Sequence, residues 1–97
     1  MEKDNKMLII KIPFTATGGE TIETAIQISG VHRNYLIDIQ KRIIQYLFDN
    51  EPWTKVGQSF IFTKDKAYDK IEVVRLLLEN GDTKRYEFWF DITGCYE

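Results

Sequence analysis

Along residues 34–50, NYLIDIQKRIIQYLFDN, apolar positions recur with the period of an α-helix, and no other stretch sustains that period. At about 100° per residue, Tyr35, Leu36, Ile39, Ile43, Tyr46 and Leu47 fall in one block. Ile37, Ile44 and Phe48 extend it sideways. The apolar arc is roughly 220° wide, against ~100° for an ordinary surface helix. An arc this broad needs cover on more than one side, from a strongly curved sheet or from a second subunit. Asn34, Asp38, Lys41, Arg42, Gln45 and Asp49 fill the polar remainder, with Asp38 four residues before Arg42 in a favourable helical spacing. One long helix over about 31–50 is therefore expected. Ser29 or Asn34 would cap its start, Asn50 would take the left-handed conformation at its end, and Pro52 forbids continuation. Gln40 interrupts the apolar arc. It is either a long side chain reaching the rim of the core or a buried amide that sets register or touches a ligand.

Elsewhere the period is two. In residues 7–14, Leu8, Ile10, Ile12 and Phe14 point one way; in residues 20–28, Ile22, Ile26 and Ile28 do the same. The turn residues Thr17, Gly18 and Gly19 join these runs. A three-residue loop there would set Ile10 opposite Ile26 and Leu8 opposite Ile28, with all the apolar side chains on one face. A short helix within 20–28 is the competing reading, since Ile22, Ala25 and Ile26 also fit helical spacing. Pro13 suits an edge or a strand end.

After the helix, residues 58–64 form a strand pattern, and 64–70 a polar loop. Residues 71–79 have two partly apolar faces: Val74, Leu76 and Leu78 on one, Ile71, Val73 and Leu77 with Arg75 on the other. That pattern belongs inside a sheet. Asn80-Gly81 marks a turn. Residues 85–93 then alternate, Tyr86, Phe88, Phe90 and Ile92 against Arg85, Glu87, Trp89 and Asp91. Setting Val74, Leu76 and Leu78 beside Tyr86, Phe88 and Phe90 demands a connection of three or five residues.

The element order is β-β-α-β-β-β, an α+β class. The expected architecture is a five-stranded, mainly antiparallel sheet packed on the one long helix. Strand order 2-1-3-4-5 is favoured over 1-2-3-4-5, in which the second and third strands would be parallel.

Composition narrows the function. At 97 residues, a single domain with a single core is expected, with residues 1–6, MEKDNK, as a flexible lead. The formal net charge of -2 is no electrostatic footprint for nucleic acid. One cysteine, Cys95, excludes an internal disulfide and suits a reducing compartment. The apolar run at 7–10 is too short for a signal core or a membrane span, so a cytoplasmic placement is expected.

Candidate chemistry is sparse. His32, the one histidine, has no Cys, Asp or Glu at metal-ligand spacing, so it serves structure or, alternatively, acts as a general base. Asp65 and Asp69 lie in a Lys-rich run without the Gly and closing Glu of a calcium loop, and Gly18-Gly19 lacks the lysine of a phosphate loop. No catalytic, cofactor or metal site is expected. Tyr86, Phe88 and Phe90, with Lys84 and Arg85, would be the stacking set of a nucleic-acid-binding sheet. A small enzyme built on His32 is a second alternative. The sharpest candidate is a second apolar surface of Ile61, Val73, Leu77 and Trp89, with Arg75, on the sheet face away from the helix. The expectation is a non-enzymatic module for protein–protein contact, its simplest partner a second copy of itself in a homodimer.

Overall fold

The computed structural model describes residues 7–12, 19–76, 79 and 81–96; the expected lead at 1–6, Pro13, Phe14, Leu77 and Leu78 lie outside the described residues. Its strands are β1 (Ile9–Lys11), β2 (Ile26–His32), β3 (Trp53–Phe62), β4 (Ala67–Leu76) and β5 (Thr83–Tyr96), and its helix is α1 (Leu36–Leu47). Turns of 3-10 helix at Ile22–Thr24 and Arg33–Tyr35 precede β2 and α1. The class is α+β, but the sheet is mixed, in the order β1-β2-β5-β4-β3. β2 and β5 run parallel and every other pair is antiparallel.

This corrects the expected order 2-1-3-4-5. The reason lies in β5, a strand of 14 residues that uses both of its edges. Residues 83–91 pair with β4, and 90–96 pair with β2. Phe88, Phe90 and Ile92 are all buried, so the strand with the richest apolar face takes the middle of the sheet. β3 leaves Val56, Phe60 and Phe62 exposed and takes an edge.

The opening hairpin forms two residues out of the expected register, with Ile10 opposite Ile28. A shift of two keeps every side chain on its face. The slip arises because residues 22–24 coil instead of extending: Thr21 and Thr24 bond each other through side chain and backbone, at 3.1 Å from Thr21 N to Thr24 Oγ1. Gly30 then permits β1 to lie close. Its φ is +77°, and a Cβ there would stand 1.9 Å from the Met7 carbonyl oxygen.

The β4–β5 register also differs from expectation. Val73 faces Tyr86, Ile71 faces Phe88 and Asp69 faces Phe90, while Val74 lies beside Arg85. The last paired residues, Leu76 and Thr83, leave six between them, an even connection. The helix-facing set on β4 is therefore Ile71 and Val73, not Val74 and Leu76.

The helix is short, 12 residues instead of the expected span of about 31–50. His32 interrupts the earlier part, where its Nδ1 accepts from Asn34 N at 3.0 Å and caps the 3-10 turn. At the other end Asp49 and Asn50 both adopt positive φ, 56° and 65°, which closes the helix as expected of Asn50. α1 lies over the β2, β5 and β4 part of the sheet, and the core joins Ile26, Ile28, Ile44, Phe88, Phe90 and Ile92. No helix among the described residues is long and apolar enough to cross a membrane.

Candidate functional site

The two flanks of α1 are built differently. On the β4 side, Gln40 is 1% exposed and its Nε2 donates to Asp69 Oδ2 at 2.8 Å. Asp69, also 1% exposed, accepts in addition from Gln58 Nε2, at 3.0 Å and 2.8 Å to its two oxygens. Lys55 Nζ in turn donates to Gln58 Oε1, linking a cation at the sheet edge to the buried carboxylate through one amide. The strand period explains the placement: Ala67, Asp69, Ile71 and Val73 share one face of β4, and that face is covered. Gln40 is thus a buried amide that fixes the helix against the sheet, the second of the two readings its position allowed.

That bond has a geometric consequence. The helix is turned so that Gln40 and Ile44 face inward, with Ile44 fully buried. Tyr35 and Tyr46, on the opposite flank of the apolar arc, are left 60% and 74% exposed. Beside them runs β1 with the residues flanking it, and Leu8, Ile10 and Ile12 lie on the helix side of the sheet and also remain exposed. Together with Val31 and Ile39 these side chains line a groove of about 570 Å³, of the size of a ligand or side-chain pocket. Asp38 and Arg42 stand among its lining residues and are the charged groups there.

The surface expected from sequence is not assembled as one face. Val73 is fully buried beneath the helix. Arg75 lies on that same face, its guanidinium 4.8 Å from the Phe48 ring and paired with Glu51. The Glu51 carboxylate beside it holds Arg75 protonated, its pKa above the ordinary arginine value. Ile61 and Trp89 point the other way, since Ile61 pairs with Tyr68 and Trp89 with Lys70 across the outer face. Trp89 is half-covered by its own chain, 6.2 Å from Tyr68 edge-on and 5.6 Å from Lys70 Nζ. Charges pair across the middle of that face, where Lys70 lies 3.9 Å from both Glu72 and Glu87 and Arg85 lies 3.6 Å from Glu72, and Leu76 is exposed at its end.

The remaining candidates have structural positions. Phe88 and Phe90 are in the core and Tyr86 is partly buried against it, so this trio presents no stacking platform. His32 packs edge-on against Tyr96 at 5.6 Å. The Cys95 thiol lies 3.3 Å from the Ile28 carbonyl oxygen, to which it donates, and burial pushes its pKa up, keeping it a thiol. No group of three or more metal-ligating side chains occurs among the described residues.

The sequence pattern places Asp69 in a polar loop and singles out no role for Gln58. The charge of residues 64–70 suggests a polar loop, whereas carrying the period of two back from Val73 and Ile71 puts Asp69 on the core face. Comparison with known proteins returns no match to a family model, a curated protein or a solved structure.

Proposed function

We propose that this chain is a small protein-contact module that works by docking another polypeptide and carries out no catalysis. The observation that supports the reading is the groove between β1 and α1. Five large apolar residues along it, Leu8, Ile10, Ile12, Tyr35 and Tyr46, are each more than a third exposed, while the middle of the sheet's outer face carries paired charges. Apolar side chains gathered in one concave strip gain from being covered, at roughly 25 cal/mol per Å² removed from water. The buried Gln40–Asp69 bond, backed by half-buried Gln58, holds the helix in the rotation that keeps the strip open. A rigid, preformed docking surface loses little conformational freedom on binding. A reducing, cytosolic setting suits the single buried thiol.

Site-specific photo-crosslinking tests this. A benzophenone side chain at position 46 in the full chain, in cells that produce it, should give adducts with a second polypeptide. The same probe at exposed Lys64, far from the groove in sequence and on the β3–β4 turn, should give none. Absence of any adduct from position 46, or equal adducts from both positions, removes the reading.

A further inference from the structure

The geometry points to a second copy of this chain as the occupant of the groove, docked through α1 in an antiparallel arrangement about a two-fold axis. The inference rests on the contact-module reading and names its partner. Tyr35, Ile39, Arg42 and Tyr46 are spaced four, three and four residues apart, the spacing of a helix–helix seam. At about 100° per residue they lie within about 60° of one another, on the flank that faces the groove. This stripe reads the same in both directions, with its centre between Gln40 and Lys41. A two-fold axis beside that point sets Tyr35 of one copy against Tyr46 of the other, and Ile39 against Arg42.

Charge selects the same arrangement. Asp38 and Arg42 are both exposed and border the groove, and among the described residues no ion pair engages either one. Across the proposed axis, Asp38 of each copy comes beside Arg42 of the other, giving two equivalent ion pairs. An isologous contact requires such self-complementarity, and an unrelated apolar partner would leave Arg42 facing it without a carboxylate. The tyrosine rings would cover Leu8, Ile10 and Ile12 of the opposite copy's groove while their hydroxyls stay wet. This surface differs from the one expected on the sheet, yet it supplies the second cover that the wide apolar arc demanded.

Sedimentation equilibrium on the full chain at about 100 μM, well above the micromolar range of weak interfaces, provides the test. The wild type should be a dimer. Asp38→Arg and Arg42→Asp each place like charges in both contacts and should weaken the dimer about tenfold or more. Mixed in equal amounts, the two variants should regain dimer mass, because each contact again joins opposite charges. Both side chains are exposed, so circular dichroism should show folded variants; Asp38→Asn and Arg42→Gln should follow the same order with smaller shifts. A monomeric wild type, a dimer indifferent to both reversals, or a mixture that stays monomeric would overturn the proposal. A monomeric wild type that still gives position-46 adducts with a different protein would remove the second copy and leave the contact module standing. Absence of all adducts would remove both.

Discussion

On the β4 flank of the helix, polar atoms are inside; on the β1 flank, apolar atoms are outside. Gln40 and Asp69 are enclosed and bonded to each other and to half-buried Gln58, whereas Tyr35, Tyr46, Leu8, Ile10 and Ile12 face water. In the first arrangement the Gln40 and Gln58 amide nitrogens both donate to the Asp69 carboxylate, while Gln40 Oε1 is buried without a partner. The second is tolerable in a monomer only as unused binding free energy. The two are linked through rotation of one rigid body, since the helix cannot present Gln40 to Asp69 and bury both tyrosines at once. A polar group in the core thus decides which apolar groups are left outside it.

Substitutions should separate the flanks by size of effect. Ile44→Ala, at the deepest point of the helix, should cost about 2–5 kcal/mol in chemical denaturation. A loss below about 1 kcal/mol would mean the helix is seated on another face. Asp69→Ala strands two amides and should cost about 2–3 kcal/mol. The paired change Asp69→Leu with Gln40→Leu should cost less than Asp69→Ala alone, because only the half-buried amide of Gln58, and not that of Gln40, is then left without its acceptor; equal losses would show that the Gln40–Asp69 contact is not what matters at this flank. Gly30→Ala should cost about 1–2 kcal/mol by forcing a side chain into a left-handed backbone against Met7. Its signature is faster amide exchange in the first strand, with the fourth and fifth strands unchanged. Tyr46→Ser, on the open flank, should alter the stability of the isolated chain by no more than about 0.5 kcal/mol. A larger loss would show that the tyrosine already packs within its own chain.

Much of the fold could be read from periodicity, and its failures have particular causes. The helix was visible because twelve of its residues keep one period, but its start was overextended, since nothing in the pattern distinguishes a 3-10 turn capped by His32 from the helix itself. Leu8, Ile10 and Ile12 share the face that alternation assigns them even though the register is off by two, because alternation is blind to even shifts. Strand order was not legible. Local patterns say which face is apolar, whereas the central place of the last strand depends on pairing with residues more than sixty positions earlier. The surface chosen around Trp89 failed on the same ground. Val73 and Trp89 were placed together by assuming that Val74 and Leu76 lay under the helix, and one wrong choice of face sent Val73 to the wrong side. The groove depended on the helix's rotation, which only the Gln40–Asp69 bond reveals.

The central position of β5 also bears on how the molecule comes into being. Two antiparallel hairpins, β1 with β2 and β3 with β4, use nearby residues and can form early. Neither touches the other in the finished sheet, because β5 stands between them. On the ribosome, both hairpins must therefore wait with the edges of β2 and β4 unpaired until the residues up to 96 have emerged. Joining them is the step with the largest loop to close, so it should limit the folding rate. A nascent chain stalled before residue 83 would display, besides the outer edges of β1 and β3, the two inner edges of β2 and β4 that the finished sheet covers, the state in which such a protein is most exposed to aggregation and most in need of a chaperone.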